Sequence, residues 1–180
     1  MLQITIPSVE LWNEITMEFI TSEETTLELE HSLVSLSKWE SKWHKSFISR
    51  KELTDEEVLD YIKCMTLTQN VNPEVYNYLT TDNIEQINKY IEAPMTATTF
   101  SDNKNGKTSR EIVTAEVIYH WMIALNIPFE CQYWHLNRLI TQIRVCEIKN
   151  TPPKKKSAKE TARQYAALNA ARKKKLGTRG

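Results

Sequence analysis

The sequence predicts a mainly α-helical protein: a compact helical domain that opens with a small β-hairpin and ends in a basic tail, helical or disordered. The 180 residues include only three glycines and are 41% apolar, a composition that favours helices with short connections over a turn-rich sandwich or barrel. Residues 1–150 carry 13 basic and 22 acidic side chains, whereas residues 151–180 carry 10 basic side chains and one acidic. This division predicts an acidic domain, 1–150, and a separate interaction segment, 151–180.

The first twenty residues predict the β-hairpin. Residues 2–6 (LQITI) alternate apolar and polar side chains and end at Pro7, which suits a short edge strand. Residues 14–20 (EITMEFI) alternate again. We therefore expect a small hairpin over about 2–20, formed within one subunit or between two.

Helical spacing begins near residue 25. Apolar side chains recur at steps of three and four residues over 25–47, and Trp39, Trp43 and Phe47 lie on the same stripe, which predicts an amphipathic helix with a buried face. A second helix is predicted over 55–66. Its start is marked by a capping box, in which Thr54 and Glu57 each bind the other's backbone amide.

Two shorter helices follow. Pro73 is suited to the first turn of a helix over 73–79, where its missing N–H costs nothing. Asp82 is a suitable cap for a helix over 83–92, and Pro94 ends it. Residues 95–109 have no helical period and contain the turn dipeptide Asn105–Gly106, so we expect a loop that acts as a contact surface.

Residues 114–125 and 130–146 predict two more helices, separated by Pro128. A short connection between two helices predicts an antiparallel pair. We expect Trp121, Trp134 and Leu139 to form the core of this pair.

The tail is predicted to bind a partner. It has a high helix propensity but few large apolar residues, so its helix is expected to become ordered on a partner. A protein partner, including the acidic body of a second copy, ranks ahead of nucleic acid because no groove-reading motif accompanies the charge. The partner-binding residues predicted here are all basic: Lys154, Lys155, Lys156, Lys159, Arg163, Arg172, Lys173, Lys174 and Lys175.

Cysteine and histidine side chains between 119 and 146 raise the question of a metal or catalytic site. Cys131 and His135 are four residues apart and would share one helical face, with Cys146 and His120 as further zinc ligands. Cys131 and His135 could equally be a nucleophile and its base. The competing interpretation, which we adopt, places both cysteines in the core. We expect no enzyme activity, no metal and no cofactor.

Other features bear on location. No run of about 18 apolar residues is present, so no membrane crossing is expected, and residues 1–14 lack the pattern of a secretory signal. Three cysteines at irregular spacing predict reduced thiols in a cytosolic compartment.

The C-terminal half resembles a known group of proteins. The order MTATTF, EVIYHWMIALNIPFECQYWHLNRLITQIRVC, a PPKKK spacer and ALNAARKKKLGTRG resembles proteins encoded in the tail-gene region of long-tailed double-stranded DNA bacteriophages. These are described as tail assembly chaperones or minor structural proteins. The likeness covers about residues 95–180.

The resemblance implies a helical assembly factor without enzymatic activity. Tail assembly chaperones hold the long, aggregation-prone tape measure protein in solution and help to recruit tail tube subunits around it, in the host cytoplasm. The resemblance therefore implies the tape measure and tail tube proteins as partners. Self-association is a separate expectation: Trp39, Trp43 and Phe47 would mark a self-association surface if the body were too small to bury them. The alternative is a minor virion protein that stays in the particle at the tail or the head-tail connector.

Overall fold

The computed structural model describes residues 1–13, 17–49, 52–100, 112–151 and 158–177, and the chain divides into two units, Met1–Glu147 and Ile148–Gly180. The first unit is mainly helical and begins with antiparallel strands. The second contains one long helix. The predicted fold class, mainly α with an N-terminal β-hairpin, is therefore confirmed.

Four strands form the hairpin, in two antiparallel pairs. β1 (Leu2–Ile6) pairs with β4 (Thr25–Leu29), and β2 (Val9–Asn13) pairs with β3 (Glu18–Ser22). In every pair of residues the two numbers add up to 31. The two ladders therefore share one register and are two stretches of a single long hairpin. The interruption contains Pro7, which has no N–H to donate to a ladder.

The predicted pairing of 2–6 with 14–20 is wrong. The partner of β1 is β4, and residues 18–22 pair with 9–13 instead; residues 14–16 lie outside the described part of the chain. Alternation of apolar and polar residues identifies a strand but does not identify its partner. The spacing of residues 25–29 also suits a helix, so the sequence alone favours the nearer alternating stretch, 14–20, as the partner.

The helix predicted over 25–47 is wrong at both ends, because residues 25–29 form β4 and α1 spans only Leu33–Trp43. The Ser32 hydroxyl caps α1 by accepting a hydrogen bond from the Ser35 amide (3.2 Å). His44 ends the helix in the left-handed conformation, with φ of 52°. Leu29 of the strand and Leu33 and Leu36 of the helix follow one another at steps of four and three residues across Ser32. The spacing therefore gives no sign of the boundary.

The next helices lie close to their predicted positions. α2 spans Asp55–Met65, and its predicted capping box is confirmed. Residues Pro73–Tyr78 form a 3-10 helix with Pro73 in its first turn. α3 spans Thr81–Glu92. The predicted cap at Asp82 is wrong, because the cap is Thr80, two residues earlier. The Thr80 hydroxyl accepts a hydrogen bond from the Asn83 amide (3.2 Å).

α4 spans Ala115–Ala124, but the helix predicted over 130–146 begins later than expected. Phe129–Tyr133 is a 3-10 helix, and α5 spans Leu136–Asn150. The predicted antiparallel pair is also wrong, since α4 makes its main backbone contacts with α1. The extended residues Trp134 and His135 separate the 3-10 helix from α5, so the connection between α4 and α5 is longer than the prediction assumed.

The core lies between one face of the hairpin and the helices of the first unit. α1 packs against α2 and α4, and α3 packs against β1. Of the residues predicted as core of the helix pair, Leu139 is fully buried, whereas Trp121 and Trp134 are only half-buried. Trp39 is fully buried, as its stripe predicts. The largest fully buried side chains are Trp39, Tyr61, Ile4, Ile6, Leu27, Leu29, Leu33, Leu36, Ile62, Met65, Ile87 and Ile118.

A buried carboxylate joins α1 to α4. Glu40 of α1 is only 7% exposed, and its two oxygens accept hydrogen bonds from the amides of Ala115 (2.7 Å) and Phe47 (2.9 Å). Thr114, at the N-cap of α4, makes no capping bond with its own side chain. Glu40 therefore supplies the cap from another helix, which places negative charge at the positive end of α4.

We expect Glu40→Ala to lower the free energy of unfolding by about 2–6 kcal/mol, because it leaves two amides without an acceptor and each such loss costs about 1–3 kcal/mol. Urea unfolding at neutral pH measures the change. The matched control is Glu85→Ala, an exposed glutamate on α3, which should change the stability by less than about 0.5 kcal/mol. Equal effects of the two substitutions would contradict this role for Glu40.

Candidate functional site

The cysteine and histidine residues proposed as zinc ligands do not share a helical face. Cys131 lies in the 3-10 helix and is buried, whereas His135 follows in extended backbone. Cys146 is half-buried on α5, and His120 is exposed on α4. Within the described ranges no group of three or more His, Cys, Asp or Glu side chains is suited to a metal ion. The four-residue spacing placed two ligands on one face only if both were helical, and that premise is wrong.

His135 is instead held by the core. Its Nδ1 accepts a hydrogen bond from the Asn137 amide (3.3 Å), and its Nε2 lies 2.9 Å from the Tyr90 carbonyl oxygen. A ring with its proton on Nε2 satisfies both contacts. The ring also packs edge-on against His31, with the ring centroids 5.1 Å apart. His135 therefore packs as a neutral core residue.

His31 belongs to the same buried cluster. Its Nδ1 lies 2.6 Å from the hydroxyl of Tyr61, which is buried. Burial lowers the pKa of His31 to about 3, and repulsion from His135 adds to the effect. Burial also raises the pKa of Tyr61. At neutral pH both groups are uncharged and buried, so their hydrogen bond supports the fold.

A cleft of about 310 Å³ opens beside His135 and is lined in part by Glu30, Tyr90 and Arg138. The Glu30 carboxylate accepts from the Tyr90 hydroxyl (2.8 Å) and pairs with the N-terminal ammonium group (2.9 Å). The Arg138 guanidinium lies over the Trp134 ring, 4.2 Å from its centroid. These polar groups already have partners, so the cleft offers little to an incoming ligand.

The predicted partner-binding residues divide into two sets. Lys154, Lys155 and Lys156 lie outside the described part of the chain. The other six are on α6 (Ala158–Leu176), which has its basic residues concentrated in its last turn. Positive charge there also complements the helix dipole, which is a structural reason for part of this pattern. The six residues are Lys159, Arg163, Arg172, Lys173, Lys174 and Lys175.

α6 presents two different faces. At about 100° per residue, Lys159, Arg163 and Lys174 fall within about 60° of one another, and we call them the basic face. Nearly opposite lie Tyr165, Leu168, Arg172 and Leu176, which we call the apolar stripe. Its three apolar side chains are 51–71% exposed. The predicted residues therefore do not form one continuous surface.

Exposed apolar side chains of the first unit form a surface that the sequence did not predict. We define the aromatic patch as Tyr119, Ile123, Phe129 and Tyr133. The rings of Tyr119 and Phe129 stack with centroids 6.3 Å apart, and Ile123, Phe129 and Tyr133 are 52–64% exposed. The sequence feature that could have indicated this surface is α4, because its apolar residues extend around more of the helix than a single buried stripe requires.

The loop predicted as a contact surface, 95–109, is described only as far as Phe100. Residues 95–100 form neither helix nor strand. The Phe100 ring packs under the Arg144 guanidinium of α5, 4.2 Å from its centroid. The rest of that prediction, including Asn105–Gly106, lies outside the described residues.

Comparisons of the chain with protein-family models, with curated proteins and with solved structures find no match. Among the helices that the structure describes, none has the length and apolar character needed to cross a membrane. The candidate surfaces therefore rest on the geometry of α6 and of the aromatic patch.

The buried histidines predict how stability depends on pH. Unfolded His31 takes up a proton near its ordinary pKa of 6.5, whereas the folded pKa is about 3. Stability is therefore fully present above pH 6.5 and is lost as the pH falls, by about 1.4 kcal/mol per pH unit for this one proton. We expect His31→Asn to reduce the slope between pH 6.5 and 5 by about that amount, measured by urea unfolding at several pH values.

The control for this experiment is His120→Asn, which changes an exposed histidine and should leave the slope unchanged. Burial also lowers the pKa of His135, so part of the slope should persist in both variants. A slope in His31→Asn equal to that of the unchanged protein would contradict the buried, neutral state of His31.

Proposed function

We propose that the protein is a bacteriophage tail assembly chaperone, a non-enzymatic factor that binds the tape measure protein and helps to recruit tail tube subunits in the host cytoplasm. The resemblance over residues 95–180 supplies this identity. The observation that best supports it is α6, which carries a basic face on a unit separate from the acidic body. That arrangement suits a protein that must stay in solution while holding a partner.

The basic face suits an acidic helical client. Lys159, Arg163 and Lys174 would meet carboxylates on the client surface, and attraction of this kind speeds encounter and weakens as salt is raised. The acidic body, meanwhile, keeps the complex soluble because its net charge is far from zero. Binding and solubility are thereby assigned to different units of the chain.

The aromatic patch suits the apolar segments of the same client. Tyrosine and phenylalanine provide large contact areas at a small cost in side-chain entropy, and exposed apolar groups of this kind mark protein-binding surfaces. Acidic side chains border the patch: Glu116 lies one turn before Tyr119, and Glu130 follows Phe129. Negative borders would repel acidic surfaces, so the patch and the basic face would select different parts of a client.

The proposal predicts that co-expression with the tape measure protein of the same phage will raise the soluble fraction of that protein. Arg163→Glu combined with Lys174→Glu should weaken the complex by about tenfold or more, because it places like charges opposite each other. Sedimentation of the co-expressed proteins and titration of the purified pair measure the two effects. The matched control reverses two exposed lysines of the body, Lys38→Glu with Lys89→Glu, and should bind as the unchanged chain does.

Two results would contradict the proposal. The first is a soluble fraction of the tape measure protein that does not depend on this chain. The second is abundant peptides of this chain in purified phage particles, which would favour the alternative of a minor virion protein.

A further inference from the structure

The first unit has an apolar groove that the proposed function does not use. It lies between α2, the 3-10 helix Pro73–Tyr78 and α3, and has a volume of about 450 Å³. Ile62 and Tyr76 are buried at its base, whereas Val58, Leu59 and Ile84 are half-buried along its walls. The Tyr76 hydroxyl donates to the Thr66 hydroxyl (2.9 Å), which fixes that side of the groove.

The groove has a negative end and a positive end. Asp55 lines it at the start of α2, beside the exposed Glu56. At the far end of α2, the Lys63 ammonium lies 5.5 Å from the centroid of the Tyr76 ring. Asp55 takes part in no ion pair with any residue that the structure describes. An occupant should therefore be apolar along its length and should place a cation next to Asp55.

The apolar stripe of α6 has this composition. Tyr165, Leu168, Arg172 and Leu176 follow one another at three- and four-residue steps, so one cation interrupts an otherwise apolar line. Arg172 makes no ion pair within the described ranges. Basic residues are concentrated at the C-terminal end of the helix, from Arg172 to Lys175.

We propose that the groove binds the apolar stripe of α6 from a second copy of the chain, with α6 antiparallel to α2 and Arg172 paired with Asp55. This mode of recognition, an amphipathic helix in an apolar groove, is common among protein partners. The inference shares with the proposed function only the premise that α6 binds protein, and it uses the face of α6 opposite to the basic face.

The spacing of the charged and apolar residues is compatible with this arrangement, and the charges select its direction. Asp55 and Leu59 are four residues apart on α2, and Arg172 and Leu168 are four residues apart on α6, so both pairs span about 6 Å. Placing Arg172 opposite Asp55 in an antiparallel arrangement puts Leu168 opposite Leu59. The charges favour the antiparallel direction, because the basic C-terminal end of α6 then meets the negative end of the groove. A parallel arrangement would bring that basic end toward Lys63.

The contact is between two different surfaces, so one copy can donate its helix while its own groove accepts the helix of another. Such a head-to-tail contact closes into a ring or extends as an open chain. Client binding through the basic face would remain available in either form.

A charge exchange tests the pairing on the full chain. In sedimentation velocity runs over a concentration series, the unchanged protein should show a mass that rises with concentration. Asp55→Arg and Arg172→Glu should each reduce the association constant by about tenfold or more, because each sets like charges against each other. An equimolar mixture of the two variants should recover association, since every contact between unlike copies again joins opposite charges.

Matched controls change the same kinds of charge elsewhere. Glu24→Arg alters an exposed acid just before β4, and Lys38→Glu alters an exposed lysine on α1; both should associate as the unchanged protein does. Circular dichroism should show equal helix content in every variant. A chain that remains monomeric at all concentrations, or a mixture of Asp55→Arg and Arg172→Glu that does not recover association, would overturn the inference. Either result would leave the solubility test of client binding unaffected.

Discussion

The fold depends on a short junction, residues 28–32, where the last strand of the hairpin passes into the first helix. The Glu30 amide donates to the Met65 carbonyl oxygen (2.9 Å), and the Leu67 amide donates to the Glu28 carbonyl oxygen (2.8 Å). On the opposite side of the junction, the Leu136 amide donates to the His31 carbonyl oxygen (2.7 Å). Segments far apart in sequence therefore meet on one strand-like stretch, and the positions of α2 and α5 follow from it.

Buried polar groups around the junction give the core a single arrangement. His31 bonds to Tyr61 on one side and packs against His135 on the other, and Glu40 caps α4 from α1. Within the described residues, every buried side-chain nitrogen or oxygen has a hydrogen-bond partner. A network of this kind is costly to disturb at any one member. Histidines that resembled candidate ligands are thus explained by packing, and the surfaces available to partners lie elsewhere.

The sequence predicted the fold class and most helices, because local signals such as the capping box at Thr54 act within one turn. It failed where a boundary or a partner depends on distant contacts. No residue near Leu29 indicates that β4 ends there, because the spacing of the apolar residues suits a strand as well as a helix. Pairing with β1 is what makes residues 25–29 a strand. Similarly, α4 was expected to pair with α5, but it packs against α1, where Glu40 accepts a hydrogen bond from the first amide of α4. The charge of α6 was evident from composition, whereas its two faces required the helix to be known.

The central claim is that the junction organises the first unit and that α6 belongs to a separate unit. Hydrogen–deuterium exchange on the full chain tests this claim most directly. The account predicts that the amides of Glu30, Leu67 and Leu136 exchange slowest and at a common rate set by global unfolding. The amides of α6 should exchange much faster when the chain is dilute. If Leu136 exchanged as fast as α6, or if α6 were as protected as α1 under those conditions, the account would be contradicted.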